Sequence, residues 1–184
     1  MDSGIAGLIG AAIGFVGGAV AQVLGQTLTD RRERAARERS SARAASIFAG
    51  FTIQLFAMAS SPASSLASEG GMRSLVTGFD GILRPMRSTM GDSTLLLALS
   101  PDQIIAVFRA MSSAEPVLYA ARDVLNTPHD KLDPAQWAEL ANEMRAMCAS
   151  VATQCRAVLP ILMPDRSDAL AAFPDPADAS AGAP

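Results

Sequence analysis

The residues able to carry chemistry in this chain are few and far apart. His129 is the sole histidine and sits between Pro128 and Asp130. A general base needs a nucleophile or an orienting partner within hydrogen-bond reach, and the flanking sequence names neither, so His129 reads as a solvated loop residue. The two cysteines, Cys148 and Cys155, are seven residues apart. On a helix that is about 10 Å, beyond the roughly 7 Å between Cα atoms that a disulfide tolerates. Neither stands in a metal-ligand pattern, and both read as small core hydrophobes in a reducing compartment. Glu139 and Glu143 are one turn apart but off the apolar stripe of their helix, as a solvated face would be. No acidic pattern resembles a metal site or a glycosidase pair. Gly70-Gly71 and Gly78-x-x-Gly81 lack the preceding strand and the following Lys of a phosphate-binding loop. Nine methionines fall at core spacing, the ordinary use of a flexible gap filler. The expectation is no catalytic residue, no metal and no cofactor, hence not an enzyme.

The element that organises the chain is instead Gly4 to Leu28. No charge occurs from Ser3 to Thr29, and Ile5 to Leu24 supplies the roughly 20 apolar residues that cross about 30 Å of hydrocarbon. A cleaved signal peptide competes through the small residues Ala19-Val20-Ala21. It lacks a positive N-terminal region, since Met1-Asp2-Ser3 carries no Lys or Arg. A surface-lying helix needs a charged face, and a buried core helix is the remaining alternative. A membrane-spanning helix fits best. Seven of the fourteen glycines lie in the first 25 residues. Gly10, Gly14 and Gly18 share one helix face, and such rows of small residues let helices approach closely in a bilayer. They are the candidate residues for helix association, and a homo-oligomer through this anchor is the partner they suggest.

Orientation follows from the flanks. Arg31, Arg32, Arg34, Arg37, Arg39 and Arg43 follow the span, and only Asp2 precedes it. Basic residues close to a span stay on the cytoplasmic side, so the expectation is a single-pass inner-membrane protein with its N-terminus outside and its body inside. Formal net charge is −3 but unevenly shared. Residues 1–43 hold six basic and four acidic groups, a balance of +2, and residues 44–184 hold nine basic and fourteen acidic groups, a balance of −5. The acidic body is a poor match for nucleic acid, whereas the basic cluster suits an anionic inner leaflet.

Four segments follow: an anchor at 4–28, a charged juxtamembrane helix at 29–43, a helical bundle at 44–163 and a tail at 164–184. The second contains no Pro or Gly, and Asp30–Arg34 and Glu33–Arg37 are acid-before-base pairs at i,i+4 that support an exposed helix. From Ala44 to Ala59, Phe48, Phe51, Leu55 and Met58 form an apolar stripe widened by Ile47 and Phe56. That stretch is short for a second span and reads as core. Ser60 to Gly71 reads as a loop. Leu75, Val76, Phe79, Ile82 and Leu83 mark a helix that Pro85 should limit, and Ser93 is a possible cap before Thr94 to Leu99. Ser100-Pro101-Asp102-Gln103 and Asp133-Pro134-Ala135-Gln136 carry the cap, first-turn Pro and third-position Gln of a helix start. The first helix runs through Ile104, Ile105, Val107, Phe108 and Met111, and Glu115-Pro116 should kink or break it. In the second, Trp137, Leu140, Ala141, Met144, Cys148, Val151, Ala152 and Cys155 hold one face until Pro160 and Pro164. The tail, rich in Ala, Asp, Pro and Ser, reads as disordered. No β-alternation appears. The fold class is therefore all-α: one transmembrane helix continuing into a cytoplasmic bundle of about four or five helices.

The N-terminal MDSGIAGLIGAAIGFVGGAV, the Arg/Glu-rich helix after it and the segment LLLALSPDQIIAVFRAM resemble small membrane-anchored proteins common in actinobacteria. The resemblance covers about 80 residues. Many of those proteins carry a Tyr shortly after the arginines, where this chain has Phe48 and Phe51. The resemblance implies a tethered helical protein and lends no catalytic residue. Two functions of different class follow. One is a membrane-anchored helical scaffold that binds a protein partner; the other is a holin-like, pore-forming protein assembling through its Gly-rich helix. A secreted helical protein, cut after Ala21, is the third.

Overall fold

Helix starts dictated by short local motifs divide the body. In a computed structural model, residues 3–60, 66, 68–127 and 133–166 are described, with side chains from residue 29 onward. The elements are α1 (Ser3–Ser60), α2 (Glu69–Met90), α3 (Ser93–Ala98), α4 (Pro101–Asn126) and α5 (Pro134–Leu162), closed by a 3₁₀ turn at Pro164–Arg166. The described residues are all-helical, without a strand. The chain divides into two units, Met1–Ser40 and Ser41–Pro184.

Both expected capping boxes form. The Gln103 amide donates to Ser100 Oγ at 3.2 Å and the Ser100 amide to Gln103 Oε1 at 3.0 Å. Asp133 and Gln136 repeat the exchange at 2.8 and 3.0 Å. Each box satisfies two backbone donors that a helix start otherwise leaves unpaired. The cap of α3 is Asp92 rather than Ser93: its carboxylate accepts the Thr94 amide at 2.9 Å. Ser68 caps α2 by accepting the Gly71 amide at 3.2 Å, so α2 begins inside the stretch whose composition reads as loop.

Pro85 does not end α2, nor Pro116 α4; both lie inside their helices, as Pro160 does inside α5. A proline leaves the carbonyl four residues earlier without its helical donor. Pro85, Pro116 and Pro160 are all exposed. The residues that lose a donor, Gly81 and Ser112, are exposed as well, and Arg156 is partly so. Water can reach the freed carbonyls, so the helices continue.

One apolar cluster joins the C-terminal part of α1 to α2, α4 and α5. Phe48 and Leu55 are fully buried and Phe56 nearly so, while Phe51 and Met58 pack at the edge. The stretch from Ala44 therefore belongs to the core. Thr52 Oγ1, buried among these side chains, donates to the Phe48 carbonyl at 2.9 Å. α2 contributes Met72, Leu75, Phe79, Ile82, Leu83 and Met86; α5 contributes the predicted run from Ala141 to Cys155. α2 and α1 come close at Gly78, where a methyl group would strike Met58 Cε.

Gly81 is the opposite case. It is exposed in mid-helix, and nothing lies within 4 Å of the place a Cβ would occupy. Glycine there is worse than alanine by about 0.5–1 kcal/mol. Gly81→Ala is expected to raise stability by that amount in urea melts followed by circular dichroism, and a loss of stability would mean the space is not free.

Candidate functional site

The arginines flagged by charge lie on the stretch of α1 that precedes the core. Arg31, Arg32, Arg34, Arg37, Arg39 and Arg43 are all exposed. Among the described ion pairs Glu33 meets Arg37 at 3.7 Å, with both side chains mostly in water; Asp30–Arg34 is not among them. Such pairs contribute little to stability, which leaves the cluster as a band of solvated positive charge. It stops where the core begins, at Ala44 and Ala45. Gly10, Gly14 and Gly18 fall within α1, and their surroundings, like His129 and residues 167–184, lie outside the described residues.

Two helical stretches among the described residues are long and apolar enough to cross a membrane, Thr29–Ser60 and Pro101–Asn126. Both also supply buried core residues: Phe48 and Leu55 from the first, Val107, Val117 and Leu118 from the second.

α4 is held to α2 by charge as well as by packing. Arg87 donates through Nε and Nη2 to Glu115 Oε1 at 3.0 and 2.7 Å. Arg122 Nη2 reaches Asp80 Oδ1 at 2.8 Å, and Arg84 takes the other oxygen of Asp80 at 2.6 Å. Seven residues on along α2, from Asp80 to Arg87, correspond to seven residues back along α4, from Arg122 to Glu115. The two helices are therefore antiparallel, pinned at points two turns apart. Donating to the Glu115 carboxylate raises the Arg87 guanidinium pKa above its ordinary value. These pairs were not read from the sequence, although an acid and a base of opposite order at the same spacing on two helices is a visible signal.

Beside this seam lies an open groove of about 340 Å³ lined by Val76, Thr77, Asp80, Gly81, Arg84 and Pro85. All six residues belong to α2, and both oxygens of Asp80 are already taken by arginines. The groove is the notch left by the missing side chain of Gly81 and offers no convergent polar groups to a ligand.

Cys148 and Cys155 are buried and free. Burial pushes the Cys148 thiol up to about 11 and the Cys155 thiol up to about 12. Since the thiolate is the nucleophile, neither should react with iodoacetamide at pH 8 until the chain unfolds, as mass spectrometry would record. The raised values also set a pH dependence. The protonated thiols favour the folded state fully below the ordinary cysteine value near 9, and that contribution is lost as pH rises through about 11 and 12. Alkaline unfolding should be delayed in Cys148→Ala/Cys155→Ala; an unchanged pH midpoint would exclude the thiols as its cause.

Among the described residues, no three of His, Cys, Asp and Glu stand close enough to hold a metal ion. On the far side of α4 from the core, Ile105, Phe108 and Tyr119 are about half exposed, and Leu97, in the last turn of α3, is 85 % exposed. Of the apolar residues that the sequence places along this helix, Val107 and Met111 face inward whereas Ile105 and Phe108 face outward. No protein-family model, no curated protein and no solved structure matches the chain.

Proposed function

We propose that this chain is a membrane-tethered helical interaction module without catalytic activity. Its N-terminal stretch crosses the inner membrane once with the N-terminus outside, and its body lies on the cytoplasmic side and binds a protein partner. The observation that carries the reading is one of sequence along a single helix. The charge-free run Gly4–Leu28, the exposed arginines from Arg31 to Arg43 and the buried Phe48 and Leu55 all belong to α1. Length suits the first part to hydrocarbon, the arginines suit an anionic cytoplasmic leaflet, and the last part is core. Self-association through Gly10, Gly14 and Gly18 would help to hold a span of modest hydropathy.

Fractionation tests it. The full chain should stay with membranes through a carbonate wash, and a version beginning at Arg31 should be soluble and helical. Release of the full chain by carbonate would overturn the reading. Collapse of the membrane potential on expression would favour pore formation instead.

A further inference from the structure

Charge on α2 and α4 is almost fully paired. Glu69 with Arg73, Asp80 with Arg84 and Arg122, and Glu115 with Arg87 account for seven of the ten charged side chains on the two helices. The three left without an ion pair among the described residues are Asp102, Arg109 and Asp123, all exposed and all on α4. Asp102 lies in the first turn, where the helix dipole favours an acid. Arg109 has no acid three or four residues away on its own helix. Asp123 lies in the last turn of α4, where the dipole disfavours an acid. Nothing within the body accounts for the last two.

Their spacing does. Arg109, Pro116 and Asp123 are seven residues apart and all exposed, and seven residues return a helix to within about 20° of the same face. The opposite face carries the buried Val107, Ala110, Ala114, Leu118 and Ala121. The line through Arg109, Pro116 and Asp123 is therefore the outermost on α4. Ile105 and Tyr119, about half exposed, run beside it. Arg109 and Asp123 stand about 10 Å to either side of Pro116. A second α4 laid antiparallel across Pro116 brings opposite charges into register twice, Arg109 against Asp123 of the partner subunit and Asp123 against Arg109 of the partner subunit. Parallel pairing would set Arg109 against its own copy and Asp123 against its own copy, and like charges so placed are costly. The strip from Asp102 to Asp123 is about 33 Å long and 10 Å wide. Two such strips fall short of the roughly 1,000 Å² of a stable interface, so the pairing is weak and depends on concentration.

We propose that α4 pairs with α4 of a second copy of this chain, antiparallel about Pro116, with Arg109 and Asp123 forming two ion pairs across the contact. The contact belongs to the body. It is separate from any association through Gly10, Gly14 and Gly18 and holds whether or not the N-terminal stretch spans a bilayer.

Disulfide trapping in the full chain, purified in detergent at low salt, tests it, since both natural cysteines are buried. Pro116→Cys places a thiol at the two-fold axis, and diamide should join it between chains. Adding Arg109→Asp sets acid against acid at both pairs, and adding Asp123→Arg sets base against base. Either change alone should slow the joining about tenfold, as a loss of about 1.4 kcal/mol would. An equal mixture of the two single-reversal chains, one lengthened by a tag so that the mixed product is resolved, should join at the original rate, because both pairs are again opposite in sign. Arg109→Asp/Asp123→Arg in one chain should do the same. A Pro116→Cys chain that forms no disulfide between copies would overturn the proposal. So would single reversals as fast as their parent, or a mixture as slow as its components.

Discussion

Phe48→Ala is expected to cost about 3–5 kcal/mol, the range for deleting a buried aromatic side chain. Domains of this size are held by only about 5–15 kcal/mol, so the variant should unfold at a far lower urea concentration or fail to melt cooperatively. The argument rests on how α1 meets the core. Between Ala44 and Ala59 half of its eight buried residues are alanines; the large apolar ones are Phe48, Leu55 and Phe56. Phe48 is 0 % exposed, and its ring lies 6.4 Å from that of Phe51 in a tilted arrangement, a geometry that adds to area burial. Its removal leaves a cavity at the point where the helix enters the core, beside its own carbonyl, which accepts the Thr52 hydroxyl. Phe51→Ala, at the partly buried edge, should cost clearly less. A Phe48→Ala variant within about 1 kcal/mol of the parent would mean that this part of α1 is not docked.

What the sequence makes legible is local. The capping boxes at Ser100 and Asp133 form because cap, proline and glutamine lie within four residues of one another, and nothing distant can move them. The stripes of Phe48–Leu55 and Met144–Cys155 are legible because a helix repeats its face every 3.6 residues. The prolines mislead for a related reason. The rule that proline ends a helix counts the lost hydrogen bond but does not know which way the freed carbonyl points. At Pro85 and Pro116 the carbonyl that loses its donor belongs to an exposed residue, Gly81 or Ser112, and the helix goes on. The ion pairs Arg87–Glu115 and Arg122–Asp80 join positions 28 and 42 residues apart. Only the antiparallel pairing of α2 and α4 brings them together. Ile105 and Phe108 belong to the same class. Their side chains are apolar and on a helix, but whether they face inward depends on where α2 and α5 pack, which periodicity over one short helix does not decide. Candidate sites suffer the same limit, since the arginine cluster is a local charge pattern whereas an uncovered face exists only after folding.

Arginines at Ile13 and Val16 are expected to release the full chain from membranes. In the proposed span, nine residues would carry most of the insertion: Ile5, Leu8, Ile9, Ile13, Phe15, Val16, Val20, Val23 and Leu24. At about 0.3–0.6 kcal/mol each they favour it by roughly 3–5 kcal/mol. Ile13→Arg/Val16→Arg removes two of the nine and adds two charges near the centre, each unfavourable by about 2.5–3.5 kcal/mol. The balance changes sign: about 2–4 kcal/mol remain in favour against 5–7 opposed. The double variant should therefore appear in the carbonate-soluble fraction, with the parent in the pellet. Arginines at Arg31-adjacent positions such as Thr29 should have no such effect, because basic residues at a cytoplasmic boundary agree with the proposed orientation. The glycine row gives a second, smaller lever. Gly14→Ile adds apolar surface to the span but blocks close approach of two helices, so it should leave membrane retention intact while lowering any oligomer seen by cross-linking in the bilayer. Retention of Ile13→Arg/Val16→Arg in the carbonate pellet would show that something other than insertion of residues 4–28 holds the chain there. In that case the arginine band and the body, rather than the charge-free stretch, would have to supply the membrane contact.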